Sequence, residues 1–149
     1  MIKTALVPIA EGSEELEAVT IIDVLRRAGV EVTVASANDG KKLQISGSNG
    51  TNIVADKMLN SCAENAYDLI AVPGGIPGSE HLAEHPILDS LLRKQAEQGK
   101  LIGAICAAPA VVLASKGLLL DKTATCYPSF QQSLEAKEVD GEARVVVDG

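Results

Sequence analysis

Apolar runs typical of buried strands alternate along this chain with segments whose apolar residues recur at helical spacing. Short, continuous apolar runs predict strands that are covered on both faces of a sheet. The predicted strands are KTALVPI, VEVTVAS, YDLIAV, KLIGAI, TATCYP and EARVVVDG. The predicted helices are SEELEAVTIIDVLRRAG, PILDSLLRKQAEQG and AAPAVVLASKG, each closed by a glycine. This alternation indicates βαβ units and an α/β domain whose mostly parallel sheet lies between two layers of helices.

The first predicted helix carries its own start and stop signals. Ser13 is predicted as its N-cap, and Gly29 as the residue just past its end. Glu14 and Glu15 are typical of first-turn acids that face solvent and complement the helix dipole. The following stretch, residues 39–52, is rich in Gly, Ser and Asn, which predicts a hairpin or a loop excursion.

The last predicted strand, RVVVDG, stands at the end of the sequence. A doubly wound domain normally follows such a strand with a helix that covers the sheet. We therefore interpret residues 1–149 as a single domain without its closing segment. Either the chain is truncated or nicked, or a second polypeptide completes it.

Length and composition predict one domain with a substantial core, since the chain has 149 residues of which 46% are hydrophobic. Only 2% of the residues are aromatic, so Ala, Val, Leu and Ile must build that core. No apolar run approaches the length of a membrane span, and the N-terminus lacks the pattern of a signal peptide. These features predict a cytoplasmic protein.

Charge and motif content exclude several classes of partner and cofactor. A net charge of −7 argues against nucleic acid or an anionic membrane as a partner. Three cysteines without CxxC spacing indicate neither a disulfide framework nor a zinc site. His81 and His85 have the i, i+4 spacing of zinc ligands, but without an HExxH pattern we interpret them as polar surface residues. GxGxxG and P-loop patterns are absent, so the sequence predicts no metal and no cofactor.

Cys106 stands where the strand KLIGAI gives way to a predicted helix. In open parallel sheets, chemistry collects at the carboxyl ends of the strands. Small residues on both sides of Cys106 suit a sharp turn of the nucleophile-elbow kind, and Pro109 fits the first helical turn. A helix N-terminus also lowers the pKa of a thiol, so the position predicts an activated cysteine.

An inert buried thiol is nevertheless the common fate of a free cysteine. Position alone therefore leaves both interpretations of Cys106 open. Cys62 and Cys126 have no comparable context, and we interpret both as structural.

One carboxylate of the first predicted helix falls on an otherwise apolar stripe. The residues that share the helix face of Glu17 are Ile21, Val24, Leu25 and Ala28. A buried carboxyl group favours its neutral form, which donates a hydrogen bond. A protonated Glu17 beside Cys106 would stabilise a thiolate without like-charge repulsion.

Gly74 and Gly75 follow the strand YDLIAV and could bring backbone N–H groups to an oxyanion. Tight turns use Gly-Gly pairs for other reasons as well, so this signal is weak.

Three motifs, AEGSEELEAVT, YDLIAVPGG and AICAAPAVVLA, occur in this order and spacing. With them the chain resembles the ThiJ/PfpI superfamily over nearly its whole length, most closely the branch that contains bacterial YajL and the Parkinsonism-associated deglycase. The resemblance implies a flavodoxin-like three-layer sandwich of the class I glutamine amidotransferase type. It also implies a homodimer and a reactive cysteine at a strand-to-helix elbow.

Carried over by position, the resemblance implies that Cys106 is the nucleophile and Glu17 the acid that hydrogen-bonds it. Gly75 and Ala107 match the backbone donors around the cysteine, and Gly74 belongs to the same pocket. Protease-like members have a histidine where this chain has Ala107, which argues against peptidase activity.

Two further departures concern the later part of the chain. Tyr127 occupies a place where some members of the superfamily carry a histidine near the site. The superfamily also continues past the last strand with a Gly-Pro-Gly-Thr-type loop and a C-terminal helix, neither of which this sequence includes.

The resemblance leaves three functions open. The first is cysteine-dependent, cofactor-free hydrolysis of methylglyoxal-type dicarbonyls or their glycated adducts, as in a deglycase or glyoxalase III. The second is a redox-sensing stress protein or chaperone in which Cys106 is oxidised to a sulfinic acid. The third, thiamine-precursor biosynthesis, rests on the family name alone. Expected partners are a small dicarbonyl or glycated substrate, a second copy of the chain, and any second chain that carries the closing segment.

Overall fold

The computed structural model describes residues 1–149 and contains nine strands and three α-helices. The strands are β1 (Thr4–Ile9), β2 (Glu31–Ser36), β3 (Gln44–Ser46), β4 (Asn52–Val54), β5 (Lys57–Met58), β6 (Leu69–Val72), β7 (Leu101–Ala104), β8 (Thr123–Ala124) and β9 (Glu138–Val139). The α-helices are α1 (Glu15–Arg27), α2 (Gly78–Glu84) and α3 (Pro86–Glu97). Shorter helical turns are Leu59–Cys62, Pro109–Leu113 (π-helical), Ala114–Lys116 and Pro128–Ser133. None of the helices is both long and apolar enough to cross a membrane.

Five strands form a parallel sheet in the order β5-β2-β1-β6-β7. Because successive side chains of a strand point to opposite faces, β1 contributes to the core on both sides of the sheet. Val7 and Ile9 pack beneath α1 and the hairpin of β3 and β4, whereas Leu6 packs beneath α2 and α3. The predicted flavodoxin-like α/β sandwich with a mostly parallel sheet is thereby confirmed.

The order of the strands places a crevice at the carboxyl end of β1. The chain leaves β1 toward β2 on one side and later returns to β6 on the other. In open α/β sheets, ligands bind at such a switch point. The loops that follow β6 and β7 open at this same edge of the sheet, and they carry Gly74 and Cys106.

Helix α1 begins one residue later than predicted and has a different cap. Glu14 is its N-cap and accepts a hydrogen bond from the backbone N–H of Leu16 at 3.1 Å. The hydroxyl of Ser13 instead accepts from the N–H of Ala10, so Ser13 closes the preceding turn rather than the helix. Gly29 lies past the end of the helix with a φ of 80°, as predicted.

The side of α1 that faces the sheet also differs from the predicted stripe. Val24 is 57% exposed, and Ala28 lies on the surface. Ile21 and Leu25 of the predicted stripe do pack against the sheet, together with Ala18 and Ile22. Glu17 therefore lies half-buried at the edge of the packed face, next to the crevice.

Glu15 is buried rather than solvent-facing, because it anchors α1 to the loop between β3 and β4. Its carboxylate accepts hydrogen bonds from the backbone N–H groups of Asn49 and Thr51 and from the hydroxyl of Ser48, at 2.9–3.1 Å. The pKa of Glu15 is lowered to about 2, first by its own backbone N–H and then by those of Thr51 and Asn49. This anchor holds the helix that carries Glu17.

We expect Glu15→Gln to lower the thermal unfolding midpoint at pH 7 by several degrees, because an amide N–H₂ replaces an oxygen that faces donors. The folded-state pKa of about 2 lies below the unfolded value of about 4.3. The carboxylate therefore stabilises the fold above about pH 4.3, and this contribution disappears as the pH falls toward 2. Circular dichroism melts between pH 7 and pH 2 should show a smaller acid loss in Glu15→Gln than in the native chain. An equal loss in both proteins would show that this anchor does not stabilise the fold.

The predicted strand EARVVVDG does not form. Val145 and Val147 are 77% and 89% exposed, and β8 pairs in parallel with β9 in a separate small sheet. The physical reason is local competition from side chains for the backbone groups. Asp140 Oδ1 accepts from the N–H groups of Glu142 and Ala143, and Asp148 Oδ2 accepts from the N–H of Thr123 at 2.7 Å.

Candidate active site

Cys106 lies in a sharp turn between β7 and the helical turn that begins at Pro109. Its φ of 62° makes it the one non-glycine residue in the chain with a positive φ. This left-handed conformation is uncommon for a residue with a side chain, and it persists only where the surroundings enforce it. One such constraint is a hydrogen bond of 2.8 Å from the N–H of Tyr127 to the carbonyl of Cys106. The turn aims the thiol toward the crevice, as predicted for an elbow.

Glu17 reaches this turn from α1. Its Oε2 accepts a hydrogen bond from the N–H of Gly74 at 2.7 Å, and the carbonyl of Gly74 accepts from the N–H of Glu14 at 2.9 Å. The carboxylate also lies beside Cys106, close enough for its charge to raise the pKa of the thiol. The loop after β6 therefore connects the acid to the cysteine.

Two backbone N–H groups approach the sulfur of Cys106, those of Gly75 and Ala107. Gly75 has a φ of 91°, which favours glycine and turns its N–H toward the elbow. Ala107 is buried at the first residue after the cysteine. Together these donors favour negative charge at the sulfur or on an atom bonded next to it.

Gly74 allows the loop after β6 to approach both α1 and the turn after β7 closely. A Cβ atom at this position would lie 2.6 Å from Cβ of Cys106 and 2.8 Å from Oε2 of Glu17. Both distances are shorter than a van der Waals contact, so any larger residue would push the acid and the cysteine apart.

We expect Gly74→Ala to lower any turnover that depends on Cys106 by about a hundredfold, since misplacing reacting groups by about 1 Å has an effect of this size. Gly103→Ala is the matched control, because a Cβ there would meet only Leu69 Cδ1, at 3.9 Å. Steady-state rates of both variants check this expectation. It is wrong if the two alanine variants lose activity equally.

The surroundings of Cys106 raise the pKa of its thiol above that of an ordinary cysteine. Burial is the largest cause, followed by the negative charge of Glu17 and its hydrogen bond to the thiol. The N–H groups of Gly75 and Ala107 act in the opposite direction. The lowered pKa predicted from a helix N-terminus is therefore wrong while Glu17 is ionised, because a carboxylate faces the sulfur.

A cleft of about 640 Å³ opens over Cys106 and Glu17. Tyr127, which is 53% exposed, lines the cleft, and so does Leu16 of α1. The cleft is also lined by the acid Glu14 and the base Arg144. Its size and its mixed lining suit a small polar molecule.

The structure brings together every residue singled out from the sequence for the site: Cys106, Glu17, Gly74, Gly75, Ala107 and Tyr127. His81 lies elsewhere, with its Nδ1 2.9 Å from the carbonyl oxygen of Glu11. Cys126, which the sequence led us to interpret as structural, also lines the cleft, as does Arg144, which the sequence analysis did not single out. The position of Cys126 beside Tyr127 at the end of a predicted strand was the available signal. Burial raises the pKa of the Cys126 thiol.

Comparisons with known proteins match residues 3–149 to the DJ-1/PfpI family. Protein DJ-1 homolog B of Arabidopsis thaliana is 44% identical over 147 residues, which is 99% of this chain and 33% of that protein. Glutathione-independent glyoxalase DJR-1.2 of Caenorhabditis elegans is 38% identical over 133 residues, which is 89% of this chain and 68% of that protein. This chain therefore spans about a third of the length of the Arabidopsis relative.

Among solved structures, oxidized Toxoplasma gondii DJ-1 superposes with a TM-score of 0.91 at 46% sequence identity. The match covers 97% of this chain and 77% of that one.

Proposed function

Because this chain belongs to the DJ-1/PfpI family, we propose that it converts methylglyoxal-type dicarbonyls, or their adducts with amines and thiols, to hydroxy acids through Cys106. One relative is named a glutathione-independent glyoxalase, which supports this chemistry. The observation that carries the proposal is that Cys106 and Glu17 meet around Gly74, with the N–H groups of Gly75 and Ala107 near the sulfur. These are a nucleophile, a proton acceptor and an oxyanion site within one cleft.

The first step is attack of the Cys106 sulfur on the aldehyde carbon. Glu17 takes the thiol proton as the carbon–sulfur bond forms, and the oxygen of the hemithioacetal receives hydrogen bonds from Gly75 and Ala107. Moving the proton to Glu17 changes the electrostatics of the pair. A carboxylic acid donates a hydrogen bond to the sulfur, whereas the carboxylate repels a second negative charge.

In the second step, the former aldehyde carbon is oxidised to the level of a thioester while the neighbouring ketone carbon is reduced. Glu17 first gives the thiol proton to the hemithioacetal oxygen and becomes a carboxylate again. It then removes the proton from the former aldehyde carbon and returns it to the neighbouring carbon, while the hydroxyl proton moves to the ketone oxygen. The ketone thereby becomes an alcohol, and a thioester remains on Cys106. Water then hydrolyses the thioester and releases lactate and the free thiol. The sum is methylglyoxal plus water giving lactate, so the proposal requires neither an oxidant nor a cofactor.

We do not propose peptidase activity for this chain. Ala107 occupies the position of the histidine in protease-like members, and the lining of the cleft contains no histidine. Glu17 is therefore the group assigned to proton transfer.

Nuclear magnetic resonance of a methylglyoxal reaction tests the proposal directly. We expect lactate to accumulate, and a rapidly quenched sample to carry a covalent adduct on Cys106 in peptide mapping. Cys62→Ala is the matched control, since Cys62 is fully buried in the core and is expected to leave the rate unchanged. Lactate formation no faster than in buffer would contradict the proposed function.

Oxidation sensing by Cys106 is a second candidate function. The thiol is partly exposed in an open cleft, where a peroxide can reach it, and Glu17 lies in position to hydrogen-bond an oxidised sulfur. Mild peroxide treatment followed by peptide mapping tests this function. Oxidation spread evenly over the three cysteines would count against a sensor.

A homodimer is the proposed assembly. Exposed apolar side chains on α1 and β4 support it, since Leu16 is 75%, Val19 47% and Val54 65% exposed. Sedimentation analysis of the native chain and of Leu16→Glu tests it. A native chain that sediments as a monomer would contradict the proposal.

A further inference from the structure

A second cysteine lies in the cleft beside Cys106. Cys126 follows β8, and both thiols are partly exposed and line the same cleft of about 640 Å³. The third cysteine, Cys62, is fully buried in the core beneath α2 and α3 and does not line this cleft. The three thiols therefore divide into a pair in the cleft and one isolated in the core.

The backbone holds this pair close together. The N–H of Tyr127, directly after Cys126, donates to the carbonyl of Cys106 at 2.8 Å. Covalent geometry around this hydrogen bond keeps the two Cα atoms within about 7.6 Å of each other. Disulfides join Cα atoms that are roughly 4.4–6.8 Å apart, so the available range overlaps the one that a disulfide needs.

The thiol of Cys126 is also free to react. Its one polar contact is a weak hydrogen bond of 3.4 Å to the carbonyl of Tyr127. A thiol gives up such a contact at small energetic cost. The Cys126 side chain can therefore rotate toward the sulfur of Cys106 without breaking a strong hydrogen bond.

We propose that Cys126 is a resolving cysteine, which converts a peroxide-oxidised Cys106 into an intramolecular Cys106–Cys126 disulfide. In the first step, the Cys106 sulfur attacks a hydroperoxide, the O–O bond breaks, and Cys106 becomes a sulfenic acid while water or an alcohol leaves. In the second step, the Cys126 sulfur attacks that sulfur and the S–O bond breaks. The thiol proton leaves with the hydroxide as water, and the S–S bond forms. One hydroperoxide is consumed and two thiols are oxidised.

The second step is intramolecular, which offsets the small thiolate fraction of Cys126. Disulfide formation competes with further oxidation of Cys106 to the irreversible sulfinic acid. A dithiol reductant reverses the disulfide and restores the free nucleophile. Cys126 thus makes oxidation of the site reversible. This modification concerns the nucleophile of the proposed function but does not require turnover.

Mass spectrometry of the native chain tests the proposal. We expect one equivalent of hydrogen peroxide to lower the intact mass by about 2 Da, the loss of two hydrogens. Trypsin should then release the peptides 101–116 and 123–137 joined to each other, and dithiothreitol should separate them. Cys62 lies in another tryptic peptide, so the mapping distinguishes all three thiols.

The same peroxide treatment of Cys126→Ser, which lacks the proposed resolving thiol, gives the comparison. This variant should gain oxygen on Cys106 instead of losing two hydrogens, and dithiothreitol should no longer restore alkylation of Cys106 after excess peroxide. Cys62→Ala should behave as the native chain does. Oxygen added to Cys106 in the native chain, without a joined peptide pair, would overturn the proposal. Because none of these readouts is turnover, they remain decisive even if no dicarbonyl is converted.

Discussion

We expect Cys106→Ala to lower lactate formation from methylglyoxal by at least about a thousandfold, to the level of the uncatalysed reaction. Every covalent step of the proposed reaction passes through this sulfur, so no residual pathway remains when the nucleophile is removed. The substitution is small and its position is partly exposed, so the variant should keep the native fold. Circular dichroism of the variant checks that point, and a chiral lactate assay measures the rate.

Variants of the other two cysteines show whether the loss of turnover is specific to Cys106. Cys62→Ala and Cys126→Ser each remove one thiol without removing the nucleophile, so both should retain turnover under reducing conditions. If Cys106→Ala kept more than a tenth of the native rate after metal chelation and repurification, covalent catalysis through Cys106 would be disproved.

We expect Glu17→Gln to lower turnover by about a hundredfold to ten-thousandfold, the usual contribution of a positioned acid–base group. The amide oxygen can still accept from the N–H of Gly74, so the loop after β6 keeps its position. The amide N–H₂ can donate a hydrogen bond to a thiolate, but it cannot accept the thiol proton.

This geometry predicts opposite effects of Glu17→Gln on two properties of Cys106. Turnover falls because proton transfer is lost, whereas alkylation by iodoacetamide at pH 7 rises by about tenfold because a hydrogen-bonded thiolate forms more readily. Glu17→Asp is the companion variant, since it keeps the carboxylate and shortens its reach. A variant that loses turnover and alkylation together would show that Glu17 only supports the structure.

The fold was predictable because local patterns and long-range packing agree. Each apolar run has the length of a strand, and the glycines that follow the predicted helices lie where those helices end. Cys106 was recognisable for a related reason, since a strand end followed by small residues defines an elbow in sequence alone. The roles assigned to Glu17, Gly75 and Ala107 stay predictions until they are measured.

The errors arose where distant residues decide the outcome. Glu15 has the pattern of an exposed first-turn acid, but its carboxylate is satisfied by a loop far along the chain at Asn49 and Thr51. The valines near residue 149 have the pattern of a strand. The side chains of Asp140 and Asp148 nevertheless accept hydrogen bonds from backbone N–H groups before that run and in β8. Cys126 joins the site only because the turn after β8 hydrogen-bonds Cys106. None of these contacts leaves a periodic signal in the sequence.

Cys106 and Glu17 are proposed to act as one coupled acid–base pair, and the pH dependence of Cys106 alkylation tests this coupling most directly. Rates should be measured from pH 5 to pH 10 in the native chain and in Glu17→Gln, with modification located by peptide mapping. We predict a midpoint above that of an ordinary cysteine in the native chain, because burial and the charge of Glu17 raise the pKa of Cys106. Glu17→Gln should shift this midpoint downward. The same midpoint in both proteins would contradict the coupling on which the proposed mechanism depends.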